Sequence, residues 1–178
     1  MADNNLGTYN PEELTAVITV PEHPEVTHVL SGWVEGTMFS FEKTTPSSVI
    51  VRGADNTGGR VRRSTRAGMF TFSLHQFTAS NDFMSWLERA DANADDNSWS
   101  FNLTVKDGLG RSFFQGTQCF ISQTPAVTLG VDGTDTRDWV VEANNVDFII
   151  GGNAKIPAEI YTVLEAMGAT IPAAWKLS

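Results

Sequence analysis

Alternation of apolar and polar side chains runs through most of the chain and predicts β-strands. It is clearest in the segment 68–77, where Phe70, Phe72 and Leu74 share one apolar register, since a period of two places alternate side chains on opposite faces of a strand. The segment 98–114 alternates in the same way around the turn DGLG, which is typical of a hairpin. Further predictions are strands at 15–20, 118–125 and 137–152, a turn at 21–25, two strands or one bent strand at 26–43, and a strand running into a turn-rich loop at 47–61.

One helix is predicted in the middle of the chain, over residues 80–90. Ser80 is a suitable N-cap, because its hydroxyl can accept a hydrogen bond from a backbone N–H of the first turn. Phe83, Leu87 and Ala90 recur at i, i+4 and i+7, so they form one apolar stripe that we expect to face a core.

A second helix is predicted near the end of the chain, at 157–169. Pro157 suits the first helical position and Gly168 suits the terminator, while the residues that follow are expected to be extended. Predicted strands outnumber helices, so the fold class is mainly β: a β-barrel or sandwich with one flanking α-helix and a C-terminal helical extension. A chain of 178 residues has the size of a single domain, 1–178.

The charge balance narrows what such a fold is expected to bind. The chain has 21 acidic and 12 basic residues, for a net charge of −9, and a negative field disfavours broad contact with duplex DNA. No apolar run is long enough to span a membrane and the N-terminus lacks a signal-peptide pattern, so we expect a cytoplasmic protein with no membrane partner. The single cysteine, Cys119, cannot form a disulfide within the chain and is interpreted as a core residue.

One short stretch, RVRRSTR at 60–66, runs against this acidic background. It holds four of the twelve basic residues, Arg60, Arg62, Arg63 and Arg66, and it lies in a predicted hairpin loop. Three hypotheses fit it: contact with another protein, a solvated loop, or contact with DNA. The acidic net charge and the lack of interleaved aromatic side chains count against DNA.

Candidate catalytic and ligand-binding patterns are weak. His23 and His28 flank a turn but lack the ligand spacing of a zinc site, and DANADD at 91–96 lacks the glycine and the distal glutamate of a calcium loop. No nucleophile elbow or phosphate-binding loop is present, although a dispersed Ser–His–Asp triad stays open. Five tryptophans would suit a sugar-binding platform, but Trp99 and Trp139 fall on apolar registers. We predict no metal, no cofactor and no enzymatic activity.

Three stretches taken together resemble one known family. They are VRGADNTGGRVRRSTRAGMFTFSLHQFTASNDFMSWL (51–87), VKDGLGRSFF (105–114) and TRDWVVEANNVDFIIGGN (136–153). Their order, rather than any single motif, is similar to that of the tail tube proteins of contractile-tailed bacteriophages, which are related in fold to the hemolysin-coregulated protein of type VI secretion. The resemblance covers a barrel core at 28–153 and leaves an N-terminal segment, 1–27, and a C-terminal extension, 154–178.

The resemblance implies a structural role. Proteins of this family form hexameric rings that stack into a tube inside a contractile sheath, and the genome passes through the lumen without specific binding. It implies self-association, contacts with the tail sheath, tail terminator and baseplate proteins, and a place in the virion tail after assembly in the host cytoplasm. The alternatives are a secretion-system tube protein, a monomeric β-sandwich of the carbohydrate-binding type, and a hydrolase.

The resemblance also gives the arginine stretch an interpretation. In that family the long loop reaches a neighbouring subunit or ring, so we expect Arg60, Arg62, Arg63 and Arg66 to pair with acidic residues across a subunit contact. Arginine suits such a contact because its planar guanidinium can bond a carboxylate through two N–H groups. The candidate acidic partners are the N-terminal segment and the stretch 91–96, with Asp91, Asp95 and Asp96.

Overall fold

A computed structural model describes residues 6–129 and 135–177. Within them the fold is mainly β with two α-helices, as the sequence predicted. The strands are β1 (Leu14–Val20), β2 (His23–Val29), β3 (Phe39–Lys43), β4 (Ser48–Arg52), β5 (Gly58–Arg62), β6 (Gly68–His75), β7 (Phe101–Asp107), β8 (Phe113–Gln123) and β9 (Thr136–Ile149). The helices are α1 (Ala79–Asn93) and α2 (Ala158–Ala166), and short 3-10 helices lie at Pro11–Glu13 and Ala173–Trp175. No helix in these two described ranges has the length and apolar character needed to cross a membrane.

Seven of the strands form one antiparallel sheet in the order β2-β1-β7-β8-β9-β6-β3. The registers that alternation predicted as apolar line its core: Phe70, Phe72 and Leu74 of β6 are fully buried, and Trp139 of β9 is buried beside them. Cys119 is a core residue, as predicted, and burial raises the pKa of its thiol to about 12, so the thiol stays protonated. The same apolar layer also contains Ala16, Ile18, Val20, Phe101, Leu103, Val105, Val141 and Val146.

The two edge strands, β2 and β3, follow each other in the chain. Residues 30–34 between them bond to β1 and β6, the strands next to the two edges of the sheet. The Leu30 N–H donates to the Ala16 carbonyl of β1 at 2.8 Å, while the Gly32 carbonyl accepts the His75 N–H of β6, also at 2.8 Å. We call residues 30–34 the crossover segment. Because one stretch of backbone changes its partner from β1 to β6, the sheet is curled around its core.

The predicted turn at 21–25 is wrong in its extent. Only its first two residues turn, and β2 begins at His23. Pro24 is tolerated inside β2 because this strand is at the end of the described sheet, where a missing N–H interrupts no second ladder. The segment 26–43, predicted as two strands or one bent strand, contains the end of β2, the crossover segment and β3.

The first turn of α1 is fastened to the crossover segment, and its cap differs from the predicted one. Thr78, and not Ser80, is the N-cap: its hydroxyl accepts the Ser80 N–H at 3.2 Å and donates to the Ser31 carbonyl at 2.8 Å. Ser80 is completely buried, where its hydroxyl accepts the Ser31 N–H at 2.9 Å and lies 3.0 Å from His28 Nε2. Either hydroxyl suits a cap, and only the fold brings Ser31 to Ser80.

The buried face of α1 is rotated from the predicted stripe. Met84 and Leu87 lie in the core, whereas Phe83 packs at its margin and Ala90 is half-buried. The helix also continues past the predicted end to Asn93, since none of the three residues after Ala90 is a glycine or a proline.

Substitution of Gly32 tests whether the crossover segment must approach Thr78 closely. Its φ of +78° lies in the region that favours glycine, and a Cβ there would stand 2.4 Å from Thr78 Cβ. Gly32→Ala should lower the free energy of unfolding by about 2–4 kcal/mol in urea denaturation, because it adds a steric clash to backbone strain. Gly36→Ala is the matched control: its φ is +111° but the space around it is open, so we expect a loss of only about 1 kcal/mol. Equal losses for the two variants would contradict a structural need for the close approach at Gly32.

Candidate assembly surfaces

The strands β4 and β5 form a separate hairpin, which we call the arm. The second half of 47–61, predicted as a loop, is therefore partly strand. The turn between the strands is closed by the Gly53 N–H, which donates to the Thr57 carbonyl at 2.8 Å, and Asn56 adopts a φ of 64° within it. Every side chain of β5 is exposed. A two-stranded hairpin is marginally stable by itself in water, so the arm is a segment that further contacts would stabilise.

The register of the arm divides it into two faces with different chemistry. Ser48 pairs with Arg62, Ile50 with Arg60, and Arg52 with Gly58, and residues that pair directly point to the same side. This basic face therefore carries three arginines. The other register forms a valine face with Val49, Val51 and Val61.

The structure separates the four arginines that the sequence grouped. Arg60 and Arg62 share the basic face, and the Arg60 Nε donates to the Ser48 hydroxyl at 2.9 Å. Arg63 continues the valine-face register, and Arg66 lies beyond the arm, where its carbonyl accepts the Val146 N–H at 2.9 Å. Arg52 belongs to the basic face but was missed, because only the strand register brings it beside the others. Among the ion pairs of the described residues, none involves the arm.

The predicted acidic partners lie at the end of α1 and in the loop that follows. Asp91 is half-buried on the last turn of the helix, whereas Asp95 and Asp96 are exposed. Hydrogen bonds from the side chain and the backbone N–H of Ser98 hold the pKa of Asp96 below its usual range. We call Asp91, Asp95 and Asp96 the acidic loop, and it is negatively charged at neutral pH.

The arm and the acidic loop lead away from the sheet in opposite directions, although Gly68 and Phe101, at the starts of β6 and β7, share one row of paired residues through Ala143 and Cys119. The arm leads into the start of β6, and the acidic loop leads into the start of β7. Three antiparallel pairings separate these two strands, through β9 and β8, so β6 and β7 run in opposite directions. No ion pair of the described residues joins the basic face to the acidic loop, whereas copies arranged head to tail would bring the two surfaces together.

A largely apolar groove of about 400 Å³ opens between β3 and the turn that joins β7 to β8. The ring of Phe114 lies 5.3 Å from Phe39 and 5.2 Å from Phe41, measured between centroids. We call it the phenylalanine groove. Its polar lining includes Ser40, Asp107 and Ser112, and its apolar lining is Leu14, Met38, Phe39, Phe41, Val105, Phe114 and Ile150.

The C-terminal extension is anchored to the turn between β7 and β8. Asn153 Nδ2 donates to Asp107 Oδ2 at 2.8 Å, and Arg111 donates to the Ala154 carbonyl. The guanidinium of Arg111 also lies 4.9 Å from the ring of Trp175, which is a cation–π contact. No residue of α2 is buried, so the extension is held at its base while its helix stands away from the core.

The end of the extension folds back on its beginning. The helix predicted at 157–169 is present as α2, with Gly168 beyond its end at a φ of +90°. The stretch after it, predicted as extended, instead contains the 3-10 helix Ala173–Trp175. The Ile156 N–H donates to the Trp175 carbonyl at 2.7 Å, and this return places Trp175 against Arg111.

The histidines that the sequence raised as ligand candidates have structural contacts. His23 stacks on Trp99 with ring centroids 4.3 Å apart, and His28 stacks on Phe83 at 4.5 Å. Burial lowers the pKa of His28, which keeps its ring neutral beside Ser80. This Ser–His pair is unsuited to catalysis because the serine is fully buried and accepts a backbone N–H. No cluster of three or more histidine, cysteine or acidic residues suited to a metal occurs in the described part of the chain.

The five tryptophans do not share a surface. Trp139 is buried and donates from Nε1 to the Asn81 side chain at 2.9 Å, and Trp33 and Trp99 pack against the core. Trp175 lies under Arg111, and Trp86 is 67% exposed beneath Arg89. A sugar platform would need several exposed rings in one plane, and these rings lie on different elements.

Comparison with known proteins identifies the family to which this chain belongs. No established protein-family profile matches the chain. The chain is 31% identical over 168 residues to "Structural protein ORF10" of Pseudomonas phage KPP10, spanning 94% of this chain and 96% of that protein. Identity at this level over nearly the whole of both chains makes this a phage structural protein. It belongs to the family of ORF10.

Two solved structures have a similar fold. One is a chain of the PVC sheath-tube complex of an extracellular contractile injection system in the extended state, with a TM-score of 0.50 and 8% identity over 80% of this chain and 91% of that one. The other is from the PVC sheath/tube terminator in the extended state, with a TM-score of 0.50 and 7% identity over 80% and 97%. At these identities the likeness concerns the fold alone. With the ORF10 match, it confirms the resemblance to contractile-phage tail tube proteins.

The anchor of the extension can be tested with a pair of tryptophan variants. Trp175→Ala removes the ring under Arg111, so cleavage of residues 155–177 in limited proteolysis should become about five- to thirtyfold faster, which corresponds to 1–2 kcal/mol of lost local stability. Trp86→Ala is the matched control, because Trp86 makes a similar contact with Arg89 on α1, at 5.3 Å, but does not hold the extension. Equal cleavage rates for wild type and Trp175→Ala would contradict the anchor.

Proposed function

We propose that this protein is the subunit of a phage tail tube, in which copies form rings that stack inside a contractile sheath and conduct the genome. Membership of the ORF10 family and the fold shared with contractile injection systems support a tail role. The observation that carries the finer proposal is that the basic face and the acidic loop lead away from one sheet in opposite directions. Each chain thereby presents both halves of a repeating contact.

A contact between two different surfaces of the same chain is heterologous, and repetition of such a contact gives closed rings or open stacks. In the proposed tube, Arg60 and Arg62 of one copy face Asp95 and Asp96 of another. Rings of six subunits are the form we propose, by similarity to the tail tube family. Arginine–carboxylate pairs in such an interface fix the register between copies more than they add affinity.

The acidic net charge fits a channel through which DNA moves without being held. With a net charge of −9 per chain, a lumen formed by many copies would repel phosphate on average. The basic face of the arm is compatible with this lumen when it is occupied by carboxylates of a neighbour. We therefore propose that DNA is cargo and not a bound ligand.

The further partners that we propose are those of a tube: the sheath that surrounds it, and the terminator and baseplate proteins at its ends. The location that follows is the virion tail, with assembly in the host cytoplasm. We propose no enzymatic activity. The burial of Ser80 beside His28 and the scattered tryptophans count against the hydrolase and carbohydrate-binding alternatives.

Charge reversal on the basic face tests the contact. Arg60→Glu with Arg62→Glu should abolish tubes in negative-stain electron micrographs, because like charges would then face each other across the contact. Thermal unfolding of the monomer should be nearly unchanged, since both side chains are exposed. Adding Asp95→Arg and Asp96→Arg restores opposite charges and the original net charge, so tubes should return.

A control variant completes this experiment. Arg89→Glu makes the same kind of charge change on an exposed residue outside the arm, and it should leave tubes intact. Normal tubes from the Arg60/Arg62 double variant would contradict the arginine–carboxylate contact. A wild-type protein that stays monomeric at high concentration would contradict the tube itself.

A further inference from the structure

A histidine lies at the base of the acidic loop. His23, the first residue of β2, stacks its ring on Trp99, with the two ring centroids 4.3 Å apart and the ring planes 19° from parallel. Trp99 comes three residues after Asp96 in the chain, so this stack fastens the acidic loop to an edge strand of the sheet. The side chain of His23 is 34% exposed, and protons from the solvent can therefore reach its ring.

Two carboxylates face this ring, and they lie on different elements. Glu25 Oε1, on the same strand, is 3.6 Å from His23 Nδ1. Asp96 belongs to the acidic loop: hydrogen bonds from the side chain and the N–H of Ser98 lower the pKa of its carboxyl, and the charge of His23 lowers it further. On β1 the partner of His23 is Val20, which carries no charge. A proton on His23 therefore meets two carboxylates and the face of an indole ring, which attracts a cation.

Such a proton changes the charge of the acidic loop in a range of pH where the loop's own carboxylates stay largely ionised. Histidine is the side chain that ordinarily gains or loses its charge between pH 5 and 8. The other two histidines of the chain are placed differently. Burial lowers the pKa of His28, and His75 lies at the start of α1, where its carbonyl accepts a hydrogen bond from Asn81, whereas the acidic loop lies at the end of that helix.

We propose that His23 is a proton-sensitive switch on the contact between copies: protonation places a positive charge beside the acidic loop and weakens its attraction for the basic face of the arm. This inference rests on the proposed tube and concerns the regulation of the same contact. One exposed charge pair contributes little by itself. Each copy makes the contact twice, however, once through its basic face and once through its acidic loop, so the change is repeated along the tube.

Pelleting of tubes at pH 7.5 and at pH 5.5, at constant ionic strength, tests the switch. The critical concentration for assembly of the wild type should rise about three- to tenfold at the lower pH. His23→Gln keeps a flat polar side chain against Trp99 but takes up no proton in this range, so its critical concentration should change less than about twofold. His75→Gln is the matched control, and it should respond to pH as the wild type does.

A variant with a fixed charge separates an effect of charge from a structural effect. His23→Lys carries the positive charge at both pH values, so its critical concentration should already be high at pH 7.5 and should stay there. A purely structural role of His23 would instead make the lysine and glutamine variants assemble equally poorly. Thermal unfolding of the unassembled chains checks that all three histidine variants are folded.

The outcomes separate this inference from the tube proposal. A wild type that assembles equally well at both pH values, a glutamine variant that responds like the wild type, or equal behaviour of the glutamine and lysine variants would each overturn the switch and leave the tube standing. If the wild type forms no tubes at either pH, the tube proposal fails and the switch fails with it.

Discussion

The structure depends on the close approach of the crossover segment to the N-terminus of α1. Two hydroxyl groups, from Thr78 and Ser80, satisfy the N–H and the carbonyl of Ser31, and Gly32 provides the space that this approach requires. The same few residues also bond to β1 and β6. They therefore fix the helix and both edges of the sheet around one apolar core. Buried backbone groups must find partners, and here two side chains of one helical turn provide them.

The surfaces of this curled sheet differ from one another. The arm and the acidic loop lead away from it in opposite directions, and the phenylalanine groove and the anchored extension lie beside the turn between β7 and β8. The head-to-tail assembly proposed above would use the basic face of the arm and the acidic loop as the two halves of one contact. The exposed valines, the open groove and the arginines of the basic face, which form no ion pair among the described residues, are alike in one respect. Each leaves a favourable interaction unmade in the single chain.

Local patterns predicted the strands that line the core and both helices. Phe70, Phe72 and Leu74 are buried as their alternation required, and Gly168 ends the second helix at a positive φ. Patterns were less reliable where two residues offered the same local chemistry. Thr78 and Ser80 both suit a helix cap, and the choice between them depended on Ser31, which lies far away in sequence. The arginine stretch was recognised, but its division into faces and the contribution of Arg52 needed the pairing of β4 with β5.

The sequence by itself determined the mainly β fold class, the core registers, the acidic balance and the resemblance to tail tube proteins, because these follow from composition, from short-range periodicity and from the order of motifs. Only the tertiary structure decided that the crossover segment joins the two edges of the sheet, that Trp175 returns to Arg111, and that the basic face and the acidic loop lead away from the sheet in opposite directions. These are contacts between residues distant in sequence. They depend on strand order and register, which the cooperative burial of one core selects and which no local pattern encodes.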